Sequence, residues 1–172
     1  TSRFFHDRRP RHLLPSYHPA TMWWNMPTKT AHEKAAKDNL SALKYCQERI
    51  EDFPQWATVI AFYTALHVVE AVFAADTELT AANRAHSDDH YDRNDKLKRN
   101  KRFQHIWKHY QPLFNDSLIA RYLQSDRTTP DFFESFSDYM SPSDIVDTHI
   151  NHNLRQIILS SRRLLDDDRF LA

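Results

Sequence analysis

The 172-residue chain contains no glycine and only eight prolines. Tight hairpins, left-handed turns and phosphate-cradling loops depend on glycine, so β-hairpins are disfavoured. The Gly-x-Ser-x-Gly elbow, the Walker loop and the dinucleotide-binding fingerprint are excluded for the same reason. The length fits one domain with a sizeable core. We therefore predict an all-α fold.

Cysteine is nearly absent, and neither sign of charge is in excess. Cys46 alone cannot form an internal disulfide or a Cys-based zinc module, and it fits a reducing compartment. Lys and Arg number 23 and Asp and Glu number 23, so no global field draws the chain to nucleic acid or to a membrane. Polar residues such as Thr58, Thr64 and Glu70 interrupt the most apolar segment. We expect a soluble, cytoplasmic protein without a membrane partner.

Residues 1–29 differ in composition from the rest of the chain. They contain four arginines against one acid, Asp7, together with four prolines and no apolar periodicity. Such a segment buries too little surface to offset its ordering entropy, so we predict a mobile basic arm. A leader, an added segment, a targeting peptide and an RNA-contacting arm are the open interpretations. A single helical domain is then expected over residues 30–168.

Apolar residues at helical spacing predict four long helices. A capping-box pattern at Thr30 indicates the start of the first, which should end near Asp52. The second begins at Pro54 and is apolar on nearly every side, so we expect it at the centre. Pro112 should kink or break the third helical region, and residues 141–144 are typical of the start of the last. Joined in sequence, these helices predict an antiparallel four-to-five-helix bundle.

Three sequence features occur together in this order. They are the aromatic, Ala-rich stretch AFYTALHVVEA, a following His-Ser pair, and an Ala-Arg-Tyr at residues 120–122. Together they resemble the HEPN domain, a helical bundle of bacteria, archaea and eukaryotes, over about residues 31–165. The resemblance implies an endoribonuclease of a toxin or defence system that dimerises around a shared cleft. Other members of the family are non-catalytic RNA-binding, nucleotide-binding or partner modules, and an antitoxin or a nucleotidyltransferase is then the expected partner.

Arg99 and His105 match the motif of the family's ribonucleases, an arginine followed after four to six residues by a histidine, and are our first choice as catalytic residues. Metal-independent cleavage needs a group that exchanges protons with the ribose hydroxyl or the leaving oxygen, and His titrates near neutral pH. It also needs a fixed cation against the charge on the phosphorane, which Arg provides. No cofactor is expected. The motif requires Asn100 to act as an N-cap and leave Arg99 in the preceding loop.

Basic residues surround this motif. A strip of positive side chains could hold RNA phosphates without reading bases. A solvated basic helix start and RNA binding without cleavage are the alternatives to catalysis. The residues expected to contact RNA are Lys96, Lys98, Lys101, Arg102 and His109.

A second polar group follows the central helix. His90, Arg93 and Asn94 are our second choice for the active residues, because they lie where the chain leaves that helix. His86 and His90 could share a metal if the segment is helical, although the spacing fixes no third ligand. His67 is expected to be a hydrogen-bonded core histidine, with the alternative that it faces the same cleft as His90.

Overall fold

A computed structural model describes residues 27–123 and 133–171, and these residues form helices and no strand. The predicted all-α bundle is confirmed. The predicted arm lies outside the described residues except for its last three. The helices are α1 (Lys29–Glu48), α2 (Pro54–Ala75), α3 (Thr77–Ala81), α4 (His90–Arg99), α5 (Gln104–Tyr122), α6 (Phe136–Tyr139), α7 (Pro142–Asp144) and α8 (Arg155–Leu165), with a 3-10 turn at Lys101–Phe103 and a π-helical segment at Ile145–Leu154.

Helix α2 is the central helix, as its apolar composition predicted. It packs against α1, α5, α8 and the π-helical segment. The hydroxyls of Thr58 and Thr64 donate to the carbonyls of Pro54 and Ile60 at 3.2 and 2.8 Å. These threonines are therefore buried without unsatisfied groups and do not interrupt the helix.

The length and composition of α2 would also suit a membrane span. However, 78% of its apolar stretch is buried by the rest of the bundle. Lipid would have to take the place of packed side chains from three helices. Such burial is typical of the core helix of a helical bundle.

The first helix begins earlier and ends earlier than predicted. Thr28, rather than Thr30, is the N-cap, and its Oγ1 accepts from the backbone N–H of Ala31 at 3.2 Å. The helix ends at Glu48, because a turn follows in which the N–H of Asp52 donates to the carbonyl of Arg49 at 3.0 Å. That turn places Pro54 at the first position of α2, where its missing N–H is no loss.

The later helices depart from the prediction at two places. Helix α5 continues through Pro112, so the break expected as one of two outcomes does not occur there. The expected start of the last helix is confirmed, because Ser141 Oγ accepts from the N–H of Asp144 at 3.2 Å. The helix then takes a π-helical form, which the periodicity did not predict. This form buries the side chains of His149 and Asn153 within the bundle.

The residues after α8 fold back onto the bundle. Arg162 donates from Nε to the Phe170 carbonyl at 2.8 Å and from Nη2 to the Leu171 carbonyl at 2.9 Å. Lys29 Nζ pairs with Asp167 at 2.9 Å, and the Phe170 side chain is fully buried. The described fold therefore extends beyond residues 30–168 at both ends.

Left-handed backbone is taken here by residues other than glycine. Leu123 and Asp166 end α5 and α8 with φ of 51° and 49°. Glycine is the usual residue at this position because its missing Cβ removes a steric clash. Two helix ends in this glycine-free chain therefore carry local backbone strain.

We predict that Asp166→Gly raises the free energy of unfolding by about 0.5–1 kcal/mol. Glycine removes the steric clash of the Cβ at positive φ, and the exposed Asp166 side chain contributes no packing that would be lost. Urea denaturation of the purified chain measures this. The control is Asp168→Gly, also exposed but without positive φ, which should lose a little stability because the unfolded chain gains freedom. A less stable Asp166→Gly variant would contradict the strain.

Candidate functional site

A cluster of five polar side chains lies beside the central helix. His32 comes from α1, His67 and Glu70 from α2, His86 from the connection before α4, and Arg93 from α4. We call this set the histidine cluster. Contacts among its members link three helices and a connecting segment that are distant in sequence.

Glu70 is at the centre of the histidine cluster, and its side chain is only 1% exposed. One carboxylate oxygen, Oε1, accepts from Arg93 Nε at 2.6 Å. The other, Oε2, accepts from the backbone N–H of Ser87 at 3.2 Å and lies 3.4 Å from His86 Nδ1. A carboxylate removed from water needs such partners, because its desolvation costs roughly several kcal/mol. The pair with Arg93 therefore holds α4 against α2.

His32 and His67 form the other half of the cluster. Their Nδ1 atoms are 3.1 Å apart, so one ring donates and the other accepts. Burial lowers the pKa of His32 to about 4, although the Glu70 carboxylate opposes the shift. Burial also lowers the pKa of His67. Both imidazoles are therefore neutral at neutral pH, and the expectation of a hydrogen-bonded His67 is confirmed.

The second-choice residues come together in this region. Arg93 Nη1 donates to His90 Nδ1 at 3.0 Å. A guanidinium only donates, so the proton of neutral His90 must be on Nε2. Burial lowers the pKa of His90, and the charges of Arg93 and Arg121 add to this effect. One His90 nitrogen is thus occupied by Arg93, and Arg93 is itself held by Glu70.

Asn94, the third member of the second choice, is less well satisfied. Its side-chain oxygen is buried and has no hydrogen-bond partner among the described residues. Among the described residues, this oxygen therefore makes no hydrogen bond to the His90–Arg93 pair.

The two first-choice residues are accessible but are not hydrogen-bonded to one another. Arg99 is the last residue of α4, and its side chain is 80% exposed, with Nε 2.6 Å from Asp95. Asn100 is an N-cap, as predicted, and its side chain accepts from the N–H of Arg102 at 3.0 Å. The expectation that Arg99 lies in a loop is wrong, because helix α4 extends to Arg99. The Asn100 cap serves the short 3-10 turn that follows. His105 is exposed near the start of α5, and within residues 27–123 and 133–171 no hydrogen bond joins it to Arg99.

An open groove of about 540 Å³ lies next to Arg99. Four of its seven lining residues are cations and one is an acid. The Lys96 side chain is buried against Asp92, but the other three cations still outnumber the acid, so the groove suits an anionic ligand. His105 does not line it. The lining residues are Arg84, Asp95, Lys96, Arg99, Asn100, Lys101 and Phe103. We call this feature the basic groove.

The expected RNA-contacting residues divide into accessible and inaccessible ones. Lys98 and Lys101 are exposed. Arg102 is also accessible, but it pairs with Asp76 and Glu78, both at 3.0 Å.

Two corrections apply to the same set of RNA-contacting residues. Lys96 is buried, and its Nζ donates to the His86 carbonyl and pairs with Asp92, each at 2.7 Å. His109 is buried with Nδ1 3.1 Å from Asn153 Oδ1, because it faces the π-helical segment. Neither side chain is free to bind RNA as expected.

The proposed metal pair of His86 and His90 is also corrected. Helix α4 begins at His90, so no helix places the two rings one turn apart. The donors near His86 are instead His32 and Glu70, and one ligand atom from each of the three lies within 4.8 Å of the others. The sequence carried one overlooked signal, since a lone acid inside an apolar helix must find a buried partner.

Protein families, curated proteins and solved structures were compared with this chain, and none of them matches it. The resemblance to the HEPN domain therefore depends on the three sequence features of this chain described above.

We predict that Glu70→Gln lowers the free energy of unfolding by about 3–5 kcal/mol, because Arg93 is then left as an uncompensated buried charge. Asp95→Asn is the matched control. It removes an exposed partner of Arg99 and should cost less than about 1 kcal/mol. Urea denaturation near neutral pH compares the two, and equal losses would contradict the central role of Glu70.

The buried His109 predicts a dependence of stability on pH. Burial lowers its pKa, and the charges of Lys108, His152 and His105 add to this, while the Asn153 contact opposes it. An unfolded histidine has a pKa of about 6.5. Below that pH the unfolded chain binds a proton that folded His109 does not, so the free energy of unfolding falls as the pH falls.

We expect His109→Asn to weaken this dependence, because the variant has no imidazole at this site. Urea denaturation at about pH 7.5 and at about pH 5.5 should show a smaller loss of stability in the variant than in the parent. The dependence does not vanish, since burial also lowers the pKa of His67 and of His90. A variant whose stability falls as steeply as the parent's would contradict the assignment.

Proposed function

We propose that the protein is a metal-independent endoribonuclease of a toxin or defence system, and that single-stranded RNA lies in the basic groove. The observation that supports this proposal is the excess of accessible cations along the groove, namely Arg84, Arg99 and Lys101 against Asp95. Guanidinium and ammonium groups bind phosphate oxygens through charge-assisted hydrogen bonds. Such contacts hold an RNA backbone without reading its sequence.

Arg99 is the cation that we propose for the reaction. Its pair with Asp95 is exposed, so it contributes less than about 1 kcal/mol and a phosphate can replace the carboxylate. The neighbouring Lys101 makes no ion pair with a described residue and lines the same groove. These two side chains would hold a phosphodiester and stabilise the charge that grows on it.

His105 is the proton-transfer group that we propose. It is exposed near the start of α5, just beyond the 3-10 turn that follows Arg99. A dimer would bring the Arg99 and His105 pairs of both chains around one shared cleft, as the resemblance to the HEPN domain implies. We therefore propose that the active form is a homodimer located in the cytoplasm.

A non-catalytic RNA-binding or partner module is the second candidate function. The observation that favours it is that no hydrogen bond joins Arg99 and His105 in the described part of a single chain. The His90–Arg93 pair is already engaged with Glu70. In this case the groove would bind RNA, a nucleotide, an antitoxin or a nucleotidyltransferase without cleaving anything.

The two functions are separated by cleavage of a labelled single-stranded RNA in the presence of a chelator. We predict that Arg99→Ala and His105→Ala each lower the cleavage rate by roughly 100-fold or more, the contribution expected of one catalytic group. His152→Ala is the matched control, because His152 is exposed and lies outside the groove. Expression of the parent or of His152→Ala should arrest growth, whereas expression of Arg99→Ala or His105→Ala should not.

The outcomes are distinct. Unchanged cleavage in Arg99→Ala and His105→Ala would overturn the catalytic assignment, and loss in His90→Ala would then redirect it. The binding module would be favoured if the parent protein binds RNA without cleaving it and the Lys101→Glu variant binds RNA more weakly.

A further inference from the structure

We propose that His32, Glu70 and His86 form a binding site for a zinc-class divalent cation. The three residues offer two imidazole nitrogens and one carboxylate oxygen within 4.8 Å of one another. This inference goes beyond the proposed ribonuclease, whose catalytic pair needs no metal, and it does not depend on that proposal.

The chemistry of the donors selects the class of cation. Two imidazoles and a carboxylate are ligands typical of Zn²⁺, which binds nitrogen and oxygen at about 2.0–2.2 Å and usually takes four ligands. Three protein ligands leave one position for solvent. Mg²⁺ prefers six oxygens and would bind poorly to two imidazoles. The site should therefore bind Zn²⁺ or Co²⁺ in preference to Mg²⁺.

An unsatisfied nitrogen of His32 is an independent sign of a ligand. His32 is 5% exposed, and its Nδ1 contacts His67 at 3.1 Å. Its other ring nitrogen, Nε2, is buried and has no hydrogen-bond partner within the described residues. A metal on Nε2 would satisfy that atom. His67 would then be the outer partner that orients the ligating ring, an arrangement common around metal-bound histidines.

Glu70 can ligate a cation without losing its other role. Its Oε1 is bound to Arg93, whereas Oε2 faces His86 at 3.4 Å. A cation on the Oε2 side therefore leaves the ion pair with Arg93 in place. The nearby Lys96 pairs with Asp92 at 2.7 Å, so its positive charge is already offset.

His86 gives the cation access from solvent. Its side chain is 31% exposed, in contrast to the buried Glu70. The three ligands come from α1, α2 and the connection before α4, so a bound ion would link three segments that are separate in sequence. Binding should therefore stabilise the folded protein as well as fill the site.

The test uses the full chain without an affinity tag, stripped of metal by a chelator and then titrated with Zn²⁺ against a chromophoric indicator. We expect one tight equivalent per chain. His86→Ala should weaken it by roughly 100-fold or more, since even the loss of an outer partner costs 10–100-fold in affinity. His105→Ala is the matched control, being an exposed histidine outside the cluster, and it should bind as the parent does. Mg²⁺ should not compete.

A second pair of measurements keeps the result interpretable. Circular dichroism checks that His86→Ala is folded, and Co²⁺ in the parent should give the visible absorption of a four-coordinate ion that His32→Gln lacks. The site is overturned if the parent has no tight equivalent, if both variants retain it, or if His105→Ala loses it. The readout is bound metal, so failure of the ribonuclease proposal leaves it unaffected.

Discussion

The ion pair between Glu70 and Arg93 is the interaction on which the rest of the structure depends. A carboxylate in the middle of the most apolar helix cannot stay charged without partners, because its side chain is almost wholly buried. The chain after α2 must therefore return to it, and it does so through Arg93, the Ser87 N–H and His86. This return docks α4 on the bundle and determines which of its side chains point inward.

The basic groove follows from that docking. With Arg93 inward, the next turn of α4 buries Lys96 and Leu97, because residues three and four positions apart share a helix face. Lys98 and Arg99 are then turned toward solvent. The Asn100 cap ends the helix there and redirects the chain into α5. The buried contact of Arg93 thus determines which cations are exposed along α4, a helix roughly 15 Å long.

Periodicity and capping chemistry predicted the bundle, the central α2 and the cap at Ser141, since all depend on residues close in sequence. The contact between His90 and Arg93 was also predictable, because three positions on a helix bring side chains together. The partners of His32 and Glu70 were not predictable, because they lie on other helices and in the connection before α4, although a lone acid in an apolar helix indicated that Glu70 needs one. The burial of His109 was missed for a related reason, namely the π-helical segment opposite it. Whether Arg99 and His105 act together stays a prediction.

The missing glycines have a further effect, on the denatured chain. Every residue carries a Cβ, so the unfolded ensemble samples a narrower range of backbone angles than that of a typical chain. Less conformational entropy is lost on folding, and this offsets part of the strain that Leu123 and Asp166 carry at their left-handed positions. The stability of this bundle therefore depends partly on the backbone conformations that the lack of glycine excludes from the unfolded chain.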